Sequence, residues 1–168
     1  FLALLLVRGM PPIFPDSTVS EVHLQTERMG LDTDDVLVVC QDSSQNRTRM
    51  VGQVKRTFTV SATNTECKKT MIDFWGDFRG SADFSVSQDR FAIITQRGTN
   101  RVIDYFGGLL DCARNSQDAT DFRKRLETPG FLHATVKKYY GEIKTLLEEH
   151  EGQSVADSEL WSFLRLIY

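Results

Sequence analysis

The residues best placed to do chemistry in this chain are Asp35, Gln53 and Lys55. Seventeen residues separate the first two, and Val54 alone separates Gln53 from Lys55. Side chains alternate along a strand, so Gln53 and Lys55 share a face. Asp35, opening a neighbouring strand, is expected to meet them there. A carboxylate, an amide oxygen and an ammonium at one sheet edge suit a hard divalent cation, Mg²⁺ or Mn²⁺, and an activated water. Asp35 and Gln53 are the expected metal ligands. Glu27, ahead of the Asp34-Asp35 pair, is a further candidate ligand, and the Val54 carbonyl is another. Lys55 would orient and help deprotonate the water, or stabilise charge building on a phosphate. It serves as a base only if desolvation or a neighbouring cation depresses its pKa. Lys68 and Lys69 are candidate contacts to a nucleic-acid backbone, without sequence readout.

The elements that must position these groups are legible from pattern. Val36 to Val39 is a short apolar run, and Met50 to Phe58 is rich in β-branched residues. Both read as strands, joined by a polar hairpin loop over Gln41 to Arg49. Val19 to Gln25 alternates as a strand before them. Thr63-x-x-Glu66 has the form of a capping box, ahead of Cys67, Met71, Phe74, Trp75 and Phe78 on one helical face. Phe91 to Thr95 is a short buried strand. Gly98 to Asn100 supplies a turn and cap for a helix burying Val102, Ile103, Phe106, Leu109, Leu110 and Ala113. Further helices start at Asp118 or Thr120, run from Phe131 to His150, and start at Asp157 or Ser158. The apolar residues from Phe1 to Val7 read as a buried first helix, ended by Gly9 and Pro11, Pro12 and Pro15. The order is helix, three strands, helix, strand and a helical tail, an α+β arrangement.

Asp35 followed by Gln53-Val54-Lys55 resembles the signature of the PD-(D/E)XK nuclease superfamily, in its Q-x-K variant. The wider wording, Asp34-Asp35-Val36-Leu37-Val38, then Gln53-Val54-Lys55-Arg56, then Phe74-Trp75, is similar to one branch. That branch is the DNA endonuclease domain of antiphage effectors, found in CBASS endonucleases and in some STAND-type NTPase sensors. The likeness runs over residues 19–97. It implies a restriction-endonuclease-like α-β-β-β-α-β core over 1–128, with 129–168 a helical extension leading to a downstream domain. It implies Mg²⁺-dependent cleavage of double-stranded DNA by the effector domain of a larger antiviral defence protein. Such a protein works in the bacterial or archaeal cytoplasm, as a homo-oligomer when activated. Gln53 stands where the superfamily often has an acid, which lowers the negative charge at the metal and favours one ion over two.

At 168 residues and 40% hydrophobic content, the chain is long enough for one sizeable core. A net charge of −3 excludes a surface that is basic throughout. Charge is instead segregated. Seven acids face one base between Asp16 and Asp42, and six bases face one acid between Arg47 and Lys69. That division suits a metal beside a phosphate, although a solvated surface of uneven charge reads the same way. Cys40, Cys67 and Cys112 lie at apolar positions without zinc spacing and read as reduced core thiols. Trp75 is either a base-stacking platform or core, with its helical spacing favouring core. The apolar start and the unfinished apolar pattern at Tyr168 read as a piece of a longer chain with no membrane span. The alternatives to an active nuclease are a degenerate nucleic-acid-binding module and a structural or oligomerisation domain.

Overall fold

The structure, a computed structural model, describes residues 1–25, 30–33, 35–97 and 102–168. Its order is α1 (Leu2–Val7), β1 (Ser17–Leu24), β2 (Val36–Asp42), β3 (Arg47–Thr57), α2 (Thr65–Gly80) and β4 (Asp89–Arg97). A π-helical turn (Val102–Phe106) follows, then α3 (Gly107–Arg114), α4 (Ala119–Glu127), α5 (Ala134–Glu151) and α6 (Asp157–Leu164). This is an α+β fold with a four-stranded mixed sheet in the order β1-β2-β3-β4. Among the described residues, no helix is long and apolar enough to cross a membrane.

The chain divides into two compact units, residues 1–54, 76–94 and 168, and residues 55–75 and 95–167. In the first unit, β2 pairs antiparallel with β1 and with β3. Val36 to Cys40 are buried without interruption, the expected signature of a strand covered on both faces. One core cluster gathers Val19, Val36, Val38, Cys40, Met50 and Ala92, with Leu4, Leu5, Ile13 and Phe14 packed against it. Gly52 is needed at the strand crossing, since a Cβ there would stand 2.7 Å from Val36 Cγ1. β2 and β3 are longer than the apolar runs, leaving Ser43 to Asn46 as the turn. Asp42 closes that turn by accepting from Ser44 N, Asn46 N and Asn46 Nδ2.

Helix α1 departs from expectation. It has no buried residue, and Leu6 is 86% exposed. Six residues give fewer than two turns, so only Leu4 and Leu5 reach the core beneath.

The second unit is mostly helical. Helix α3 packs against α5 and α6, and α4 against α6. Trp75 is core: it is 1% exposed, stands edge-on to Phe163 at 5.1 Å, and donates from Nε1 to Glu151 Oε1 at 2.7 Å. It is therefore closed to base stacking. The cap of α2 is Asn64, whose Oδ1 accepts from Cys67 N at 2.9 Å, so the Thr63-Glu66 box does not form. Asp118 caps α4 as expected, accepting from Asp121 N. Ala156 is the cap position of α6, and Asp157 instead binds Tyr140 Oη, Lys144 and Arg123. Ile103, expected inside, is 62% exposed because the wider π turn shifts the helical phase ahead of Phe106. All three cysteines are free and buried, and burial raises the Cys40 thiol to about 11.

Candidate functional site

The β2–β3 register builds the site. Val36 lies opposite Gly52, so the residue before Val36 and the residue after Gly52, Asp35 and Gln53, fall side by side. The contact is direct. Gln53 Nε2 donates to Asp35 Oδ2 at 2.5 Å, and Val54 N donates to the same oxygen at 2.7 Å. Gln25 N donates to the Asp35 backbone carbonyl at 3.1 Å, tying the end of β1 to the same point. Asp35 is half-buried and Gln53 is buried.

Past Gln53 the strand keeps its alternation. Val54 and Arg56 are exposed, whereas the Lys55 side chain is 11% exposed. The burial of Val54, Lys55 and Arg56 follows the alternation of a strand. Lys55 opens the second unit, and its Nζ stands 3.0 Å from Glu66 Oε2 in the first turn of α2. Its ion pair among the described residues is with Glu66. Glu66 lies C-terminal to Asn64 on the opening turn of α2, where a capping role had been expected of it. Lys68 and Lys69 are exposed on the same helix, and Lys69 pairs with Asp73 at 2.7 Å. Glu27 and Asp34 lie outside the described residues.

Two buried acids in the first unit were not singled out by the sequence. Asp77, 1% exposed on α2, accepts from Asp32 N at 2.7 Å and from Thr33 N at 3.0 Å. Burial pushes its carboxyl above the usual range, and those two N–H groups pull it partly back. Its sequence signal is its place three residues after Phe74, an acid on the apolar face of a helix. Asp89 accepts from Arg49 Nε and Nη2 at 3.0 and 2.5 Å and from Ser85 N at 2.7 Å. That pairing with Asp89 raises the Arg49 guanidinium above its ordinary value. Arg49 and Arg47 border a cleft of about 320 Å³ with Glu21, His23, Leu37, Val39 and Gln88. Glu21 binds His23 at 2.9 Å and Arg47 at 2.5 Å, so the cleft's outer charges are largely matched.

The donors at Asp35 can be tested against a metal. Among the described residues, no three His, Cys, Asp or Glu side chains converge. Asp35 nevertheless keeps an oxygen, Oδ1, that accepts no hydrogen bond among the described residues, and no cation there pairs with its carboxylate. A carboxylate of this kind suits Mg²⁺, which retains several waters and takes one or two carboxylates alongside substrate phosphate. No protein-family model, curated protein or solved structure matches this chain.

Proposed function

We propose that the chain is a metal-dependent DNA endonuclease centred on Asp35, Gln53 and Lys55. One observation carries the reading: the half-buried Asp35 carboxylate is faced by an amide and a backbone N–H, and by no cation among the described residues. These donors hold the carboxylate's orientation but leave its charge in place, the condition for attracting a divalent ion. Mg²⁺, when bound, would polarise the phosphate and lower the pKa of water. Asp35 would hold it through the remaining oxygen, with Gln53 fixing that carboxylate's orientation. Lys55, already in an ion pair, is assigned to charge on the phosphate. The α-β-β-β-α-β order supports the same reading, as does the resemblance of the Asp35 and Gln53-Val54-Lys55 wording. Double-stranded DNA as substrate, the place in an antiviral protein and oligomeric activation rest on that resemblance.

A second reading, a module that binds nucleic acid without cutting, is favoured by one fact. Gln53 and Lys55 each already hold a partner within the chain, Asp35 and Glu66. A plasmid-nicking assay across a magnesium titration, with Asp35→Asn and Lys55→Ala beside wild type, separates the two. The nuclease reading expects nicking by wild type and loss in both variants. Retention of DNA in a gel shift without nicking would establish the second reading. Neither activity would leave a structural module.

A further inference from the structure

The segment leading into Asp35 is held from the side by helix α2. Gly30 accepts from Ser81 Oγ at 3.1 Å, and the amides of Asp32 and Thr33 both donate to the carboxylate of Asp77. Leu31 and Thr33 are both buried. Thr33 stands two residues before Asp35. A carboxylate that accepts from two consecutive amides fixes the orientation of two successive peptide planes, 31–32 and 32–33, as well as their distance. Burying a charge is costly, and a neutral side chain would avoid the cost if one hydrogen bond were enough. What a carboxylate adds is two strong acceptors at once, each in a charge-assisted bond.

Both sets of contacts lie within the first unit. Asp77 holds the peptide units 31–32 and 32–33, Asp35 follows Thr33 by two positions in sequence, and Asp35 Oδ2 holds the Gln53 amide and Val54 N. We propose that Asp77 is a positioning residue for Asp35: by clamping the amides of Asp32 and Thr33 it sets where the Asp35 carboxylate stands against Gln53 and Val54. The catalytic meaning of this placement rests on the nuclease reading, whereas the placement itself is a statement about the fold. Asp77 acts through the peptide it binds and touches neither substrate nor metal.

Asp89 provides the control. It is also a carboxylate only 1% exposed that accepts a loop amide, from Ser85, but it binds β3 at Arg49, four residues before Gln53, and accepts no hydrogen bond from residues 30–33. Asp77→Asn keeps the shape but turns a donor toward one of the two amides. The position of Asp35 is read without metal or substrate from amide hydrogen exchange at Val54. That residue is exposed, and its N–H is bonded to Asp35 Oδ2. Asp77→Asn should speed Val54 exchange by about tenfold or more, approaching the rate in Asp35→Ala, with exchange inside β2 unchanged. Asp89→Asn should destabilise the protein comparably and leave Val54 exchange as in wild type. In the nicking assay, Asp77→Asn should raise the magnesium needed for half-maximal rate by about tenfold and leave KM for DNA unaltered. Should Asp77→Asn not fold, Asp77→Ser, which keeps one acceptor, is read in the same way. Wild-type exchange at Val54 in the folded variant overturns the proposal, as does an equal acceleration in Asp89→Asn. If Val54 exchange responds as expected but wild type never nicks DNA, the positioning stands and the nuclease reading falls.

Discussion

The two ends of β3 use acids in opposite ways. At the Arg47 end, two acids meet guanidinium groups: Glu21 binds Arg47, and the buried Asp89 binds Arg49 through two nitrogens. Arg49 also donates to the Asp83 carbonyl, so this end fastens β3 to the loop before β4. Six residues after Arg47, at Gln53, Asp35 meets an amide and, among the described residues, no cation. The geometry is similar, a carboxylate held across strands, but the charge outcome differs. A guanidinium cancels the charge it binds, whereas an amide orients a carboxylate and leaves it negative. The first arrangement stabilises a fold, and the second keeps an electrostatic demand that a cation can meet.

The contrast can be broken most severely at its cationic end. Arg49→Ala would leave Asp89 buried and unmatched, and should cost about 3 to 5 kcal/mol in a urea titration. A loss under about 1 kcal/mol would show that the pair does not organise this end. Asp35→Asn should lower magnesium-dependent nicking by about 100-fold, close to 2.7 kcal/mol of barrier, with a much smaller change in the urea midpoint. Unchanged nicking would remove Asp35 from any metal site.

Gln53→Glu sharpens the comparison by placing a second acid against the first. Without metal, the two carboxylates repel, and the variant should lose about 1 to 2 kcal/mol of stability. Added Mg²⁺ should restore it and raise the melting temperature more than in wild type, since binding to the native state stabilises that state. Identical magnesium dependence in both proteins would place Gln53 away from any cation. Arg47→Ala should do least. Its pair with Glu21 is solvent-exposed on both sides, so the expected cost is below about 1 kcal/mol, and high salt should erase it.

Local pattern alone determined much of this protein. The apolar run at Val36 and the β-branched run after Met50 specified two strands. Because a hairpin register follows from its turn, the same residues brought Asp35 beside Gln53. Alternation covered Lys55 between the exposed Val54 and Arg56, and helical spacing put Trp75 in the core. Such features repeat every two or three to four residues, so a short stretch contains all the information needed. Pairings across long separations do not. Asn64 and Thr63 are both good caps, and only the path of the chain into α2 selects Asn64. Lys55 and Glu66 lie eleven positions apart on different elements, so their pairing follows from how β3 hands over to α2. The Asp77 contact is farther still, spanning 45 positions to Asp32 and 44 to Thr33. Its sequence context marks an acid on an apolar helical face but cannot name the amides it meets. Those are set when helix and sheet pack, because a buried carboxylate takes whichever N–H groups the closed structure brings within reach.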